Sequence, residues 1–268
     1  MNREVRPFAT VAAGLAIVAV VSGCGPSTEQ AIAPPVGQLQ ALSQGAATSN
    51  GWAPVQNGVL LGEKLKKYII NTAATVVNGR ARSSFTLYGQ VNAPDTTLLA
   101  VSLDGQSDLY YQQGKAAYQA ENGKWMPSTP VGKVDVYRPY QKLVSAAMNQ
   151  GITLKQFPRQ YVIDEYCTVY EAEIPSSLLA SSGVSTGLVG GVTSSATSAV
   201  TAQSGDILMA FYVGQRTGVL REVAFTGSTS GAHQNLTVVA NTEISNLNKP
   251  AADVTIPPSL LNQVSALP

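Results

Sequence analysis

The sequence predicts an α+β domain built on an antiparallel sheet, and two observations carry that prediction. Short stretches of strict apolar/polar alternation recur along the chain, several of them joined by hairpin dipeptides such as Asp104-Gly105 and Asn122-Gly123. Only two segments carry helical periodicity, and the strands come in runs after each of them. A parallel sheet would need helices interleaved with single strands.

Arg3 and Arg6 place positive charge at the amino end, and an apolar and small-residue run follows from Phe8 to Val21. A charged head, a short apolar stretch and small residues before a cut site make a secretory signal, here residues 1–23. At about 1.5 Å per residue the run reaches roughly 21 Å, short of the ~30 Å hydrocarbon core, so a permanent span is not expected. The run ends Val21-Ser22-Gly23-Cys24, which resembles the lipobox of bacterial lipoproteins. That resemblance implies cleavage before Cys24 and lipidation of Cys24 with palmitate-type chains. Each buried methylene adds ~0.8 kcal/mol, so such an anchor holds the chain to the extracytoplasmic face of a cell membrane.

From Gly25 to Gly62 the only charge is Glu29, and small and polar residues dominate. Residues 24–57 read as the lipidated cysteine and a flexible tether, with a folded domain over 58–268. The first helical pattern starts near Val59. Leu61, Leu65, Tyr68, Ile69, Thr72 and Val76 share one face, and Asn78-Gly79 is the stop signal. Strands are expected at Phe85-Leu87-Gly89-Val91, at Leu99-Val101-Leu103, at Leu109-Tyr110-Tyr111 and at Ala116-Tyr118-Ala120, with Trp125 after the next turn. A second helix is predicted from about Pro139 to Gln150, with Gly151 as its stop. Strands resume at Tyr161–Glu173, Ile207–Val213, Val219–Phe225 and Leu236–Ile244, and the tail is rich in proline.

Composition narrows the function classes. The formal net charge is +1, and loss of Arg3, Glu4 and Arg6 with the signal brings it to zero. Nucleic-acid binding needs Lys and Arg to neutralise phosphates, so none is expected. Cys24 and Cys167 are the two cysteines, so lipidation of the first leaves no partner for a disulfide. His233 is the only histidine, which rules out a His-pair metal site, and neither a dinucleotide fingerprint nor a phosphate loop is present. No metal or cofactor is expected. Asp164, Glu165, Glu171 and Glu173 read as solvated strand positions.

Gly183-Val184-Ser185-Thr186-Gly187 fits the nucleophile-elbow pattern, with Asp206 and His233 following in hydrolase order. The elbow requires a strand before the serine and a helix after it. This serine lies in a Gly/Ser/Thr-rich tract, so catalysis is not expected.

Several segments, taken in order, resemble the LppX/LprG group of actinobacterial lipoproteins, whose shape relates to the LolA and LolB carriers. They are Arg80 to Phe85, Asp104 to Leu109, Arg159 to Ile163 with Thr168 to Glu171, Met209 to Arg221, and Asn246 to Pro250 with Val254 to Pro258. The resemblance covers roughly residues 58–260. It implies a single curved antiparallel sheet, a half-barrel wrapped around helices, with an apolar cavity for acyl chains. It also implies a monomer that carries or holds lipids or lipoglycans in the cell envelope, with an envelope transporter as a further partner.

On the alternating positions, the candidate cavity wall is Phe85, Leu87, Leu99, Val101, Tyr118, Met209, Phe211, Val213, Leu236 and Val238. The competing reading is that these residues form a solid core, leaving a docking or structural lipoprotein with no cargo. Residues 174–205 carry no charge, and Val184, Leu188, Val192, Ala196 and Val200 recur every fourth position. This tract, from about residue 178 to 205, is expected to act as a mobile lid over the cavity mouth.

Overall fold

The computed structural model describes residue 39 and residues 42–78, 80–121, 123–130, 134–184, 206–230 and 235–265. Cys24, the signal segment, Ser185 and His233 lie outside the described residues. In chain order the elements begin with β1 (Ala46–Ala47), α1 (Ala53–Gly62), β2 (Lys67–Asn78), β3 (Ala81–Asn92), β4 (Thr96–Leu103) and β5 (Gln106–Gln113). They continue with β6 (Ala116–Glu121), β7 (Lys124–Pro127), α2 (Tyr137–Asn149), β8 (Lys155–Val162), β9 (Glu165–Pro175) and α3 (Ser176–Ser182). The last are β10 (Asp206–Gly214), β11 (Leu220–Ser230), β12 (Asn235–Ser245) and α4 (Pro258–Ser265).

All twelve strands lie in one antiparallel sheet, ordered β1-β8-β9-β10-β11-β12-β2-β3-β4-β5-β6-β7. β1 and β7 are its two free edges, so the sheet does not close. It does curve. Side chains from β3–β6 at one side and β9–β10 at the other meet α1, α2 and α3 in a single buried cluster, which a flat sheet of this width could not arrange. This is the half-barrel around helices that the resemblance implies.

The tight turns fall where the dipeptides placed them. Asp104 (φ 50°) and Gly105 (φ 86°) join β4 to β5, and Gly123 (φ 73°) joins β6 to β7. Phe85, Leu87 and Val91 in β3 and Leu99 and Val101 in β4 are buried as their alternation demands. α2 matches its predicted span within two residues, and Asp135 Oδ1 accepts from the Tyr137 and Arg138 amides as its cap.

Three departures have physical reasons. The helix predicted over Leu61–Val76 ends at Gly62, and residues 67–78 are strand β2. β2 is central and covered on both faces: Tyr68 and Ile70 join the inner cluster, while Ile69 and Ala73 are buried on the other side. A strand buried on both faces shows no alternation, and its three- and four-residue spacings then imitate a helix. Gly62 marks the true helix end by packing. A Cβ there would stand 2.1 Å from the Tyr137 ring, so only glycine lets α1 approach α2 this closely.

The expected tether limit at residue 57 falls inside α1. Residues 42–47 already form a 3-10 turn and β1, and Trp52, just before the helix, is fixed by its indole donating to the Ile152 carbonyl at 2.7 Å. The proline-rich tail also ends in a helix, α4, which the alternation analysis does not anticipate. α4 guards the β7 edge. Gln263 Oε1 accepts from the Trp125 amide at 2.9 Å, and its Nε2 donates to the Trp125 carbonyl at 2.6 Å, taking the place of a neighbouring strand.

Candidate functional site

The inner face of the half-barrel is the candidate site, and its two halves differ. Over β9–β11 it is sealed by helices. α1 packs on β10 and β11, α3 packs on β9, and Trp52 meets Phe211 edge-on with ring centroids 5.6 Å apart. Met209 and Phe211 are accordingly 0% exposed. Over β3 and β4 the inward residues are Phe85 and Val91, at 3% exposure, and Leu87, Leu99 and Val101, at 6–7%, and among the described residues no helix packs on them as closely. On β10, Met209 and Phe211 sit inside the helix packing, while Val213, at 9%, is as exposed as the β3 and β4 positions.

The structure brings Phe85, Leu87, Leu99, Val101, Met209, Phe211, Val213 and Val238 into one cluster. Of these, Met209, Phe211 and Val213 lie beneath α1. Leu236 is in β12, but its side chain is outside the description. Tyr118 does not belong to this face. It lies on the outside of the sheet with Tyr111, Trp125 and Leu260 of α4, and the inward residue of β6 is Ala117. Because α4 covers the outer side of β5–β7, apolar residues occupy both faces there and alternation points the wrong way.

Polar groups border this inner wall. The Tyr68 hydroxyl donates to the Val134 carbonyl at 3.4 Å, and the Tyr110 hydroxyl donates to the Thr129 carbonyl at 3.3 Å. These two bonds tie Thr129 and Val134 to β5 and β2 respectively. Burial, with Asp135 nearby, pushes the Tyr68 phenol well above its usual range, so it stays a neutral donor.

One end of the half-barrel is fastened by an ion-pair network that the sequence reading treated as solvated. Arg221 is buried. It pairs with Glu165 through Nη1 and with Asp164 Oδ1 through Nη2 at 2.8 Å, and its Nε donates to the Ile244 carbonyl at 3.0 Å. Glu165 also accepts from the Arg216 and Thr217 amides at 3.0 and 3.1 Å and from Thr217 Oγ1 at 2.8 Å. Burial alone would raise the Glu165 carboxyl. The bonds from Thr217 and the charge of Arg221 outweigh it and hold the group below its ordinary value. Asp164 is held low in the same way by Lys249 and Arg221. The network ties the β8–β9 turn, the β10–β11 turn and β12 together.

On the outer face, Glu171 is also buried, contrary to the solvated reading. Glu222 of β11 stands directly opposite Glu243 of β12, and both are raised, Glu222 to about 8, by burial and, for Glu222, by its neighbour's charge. Cys167 is buried in the outer cluster, and burial pushes its thiol up to about 12, which makes it unreactive.

Among the described residues no cluster of His, Cys, Asp and Glu is arranged for a metal, and no helix is long and apolar enough to cross a membrane. The chain reaches Gly183 from helix α3, so the strand that a nucleophile elbow needs before its serine is not there. The tract expected to act as a lid is described only in its first residues. Leu178, Leu179 and Val184 are buried in the inner cluster, and residues 185–205 lie outside the described residues.

No family model matches the chain, and no curated protein does. Among solved structures it is similar to LprF from Mycobacterium bovis, at 12% identity and TM-score 0.46, covering 80% of this chain and 99% of that one. It is likewise similar to the lipoprotein LppX of Mycobacterium tuberculosis, at 12% identity and TM-score 0.46, covering 76% and 97%. A LolA superfamily protein from Nitrosomonas europaea follows at 7% identity and TM-score 0.27, covering 73% and 93%. The structural neighbours therefore include the groups that the sequence motifs resemble.

Proposed function

We propose that this chain is a lipoprotein anchored through Cys24 at the extracytoplasmic face of a cell membrane, and that it binds acyl chains or glycolipids against the inner wall of its half-barrel without catalysing a reaction. The observation that supports this reading is the asymmetry of the inner face. Helices α1 and α3 pack on the β9–β11 half, while among the described residues no helix packs as closely on the apolar inner side chains Leu87, Leu99 and Val101.

Hydrocarbon needs nothing more than such a wall. Burying ten methylenes is worth roughly 8 kcal/mol before ordering costs are subtracted. The tyrosine hydroxyls at Tyr68 and Tyr110 suit a border between an acyl chain and a polar headgroup. The alternative, a docking lipoprotein with a filled interior, has the same anchor and the same sheet.

Native mass spectrometry separates the two. All the described structure lies within residues 39–265, so the chain from residue 25 onward retains it. Made in a lipid-containing host, that chain is expected to carry lipid in stoichiometric amount. A clean apo-protein that takes up no added lipid supports docking and overturns the carrier reading.

A further inference from the structure

We propose that the tip of the β8–β9 hairpin, with the cations around it, is a docking surface for an anionic lipid bilayer. Tyr161, Ile163 and Tyr166 are 64%, 40% and 50% exposed together at this one turn, whereas the exposed large apolar side chains on the other described strands, Leu109 and Met126, stand singly. The two tyrosine rings meet edge to face at 5.3 Å, and the Arg159 guanidinium lies 4.7 Å from the Tyr166 centroid. The tip therefore presents a rigid aromatic pair backed by a cation. Tyrosine with a neighbouring cation is the composition that settles at a bilayer interface, where the ring meets the acyl boundary and the charge meets the headgroups.

Ile163 sits at φ 60°, a left-handed conformation that β-branched residues rarely adopt. Asn or Gly would fit this turn with less strain, so the aliphatic side chain is held at the tip against local preference.

Charge fits the same partner. Arg216 and Lys249 are exposed, and both reach Asp164 at the base of the tip, at 3.5 and 3.0 Å. Arg159, Arg216, Arg221 and Lys249 outnumber Asp164 and Glu165 by two, which leaves a positive surround for anionic headgroups.

The path of the chain points the same way. β1 runs antiparallel to β8, with Ala46 opposite Gln156 and Ala47 opposite Lys155, so the residues before Ala46 lead toward the Val162 end of β8. Leu39 and Leu42 pack on the cluster that contains Val162. The chain thus enters the domain from the side of the hairpin tip. That the tip faces the membrane holding the anchor rests on lipidation of Cys24; the affinity of the tip for a bilayer does not.

The test is sedimentation of the chain from residue 25 onward with phosphatidylcholine vesicles, with and without about 30% phosphatidylglycerol. The chain is expected to bind the anionic vesicles and to release with rising salt. Ile163→Asn should weaken this at least about fivefold, and Tyr161→Ser combined with Ile163→Asn about twentyfold. Ile163→Asn removes the disfavoured conformation, so its thermal midpoint should hold or rise and a folding defect cannot mimic the result. Absence of binding by the unmodified chain, or equal binding by the variants, overturns the proposal. Lipid carried in the interior is read separately by mass spectrometry, so loss of vesicle binding with cargo retained, or the reverse, identifies which of the two readings has failed.

Discussion

Arg221→Met is expected to cost about 3–5 kcal/mol, because it leaves Glu165 buried and charged without its partner. For a domain of this size that is a fall of roughly 10 °C or more in thermal midpoint. Arg221→Lys should recover little of it. A single ammonium cannot reach Glu165, Asp164 and the Ile244 carbonyl with the fork that Arg221 uses.

The pH dependence identifies the cause. Glu165 and Asp164 have folded-state values below their unfolded ones, so their stabilisation is present above the unfolded value and lost as pH falls through the folded value. The gap between the unmodified chain and Arg221→Met should therefore be widest near neutrality and narrow below about pH 4, as the carboxylates protonate in both. Circular dichroism melts across that range measure it. A gap of under about 1 kcal/mol at pH 7, or one that does not change with pH, would mean that the network contributes little.

Val101→Trp should abolish most lipid uptake while leaving the thermal midpoint unchanged or raised. Val101 stands on the β4 wall between Leu87 and Asp108 in register, away from the helix-sealed half. If open space lies before it, the indole fills that space and displaces acyl chain. If the interior is packed, the added ring has nowhere to go and the cost is about 1–3 kcal/mol of overpacking. The matching change at Phe211, which is 0% exposed beneath Trp52, should destabilise in either case and serves as the packed reference. Melting and lipid binding read on the same preparation decide between carrier and filled interior.

Part of this fold was legible in the sequence because strands with one buried and one more exposed face show it as alternation. β3 and β4 alternate cleanly, and Asp104-Gly105 and Gly123 mark their turns by needing positive φ. Two failures share one cause: cover on both faces. β2 is buried on two sides and imitated a helix, and α4 made the outer side of β6 apolar, which put Tyr118 on the wrong face. α1 was placed too late because its start depends on a distant contact, Trp52 with the Ile152 carbonyl. The shared inward face of Phe85, Leu87, Leu99 and Val101 came from alternation, and their reading as a cavity wall from the resemblance. The role of Arg221 did not, since Glu165 lies 56 residues away and no local pattern links the two. The exposed tip at Tyr161, Ile163 and Tyr166 was hidden because those residues read as the start of one continuous strand.

The most direct test is methyl NMR of the chain from residue 25 onward, titrated with a fatty acid spin-labelled on its acyl chain. Paramagnetic broadening falls off steeply with distance, so it maps where hydrocarbon rests. The methyls of Leu87, Leu99, Val101 and Val238 should broaden at stoichiometric ligand, while Val169, buried in the outer cluster, should stay sharp. Broadening confined to the outer surface, or none at all, would contradict lipid binding inside the half-barrel.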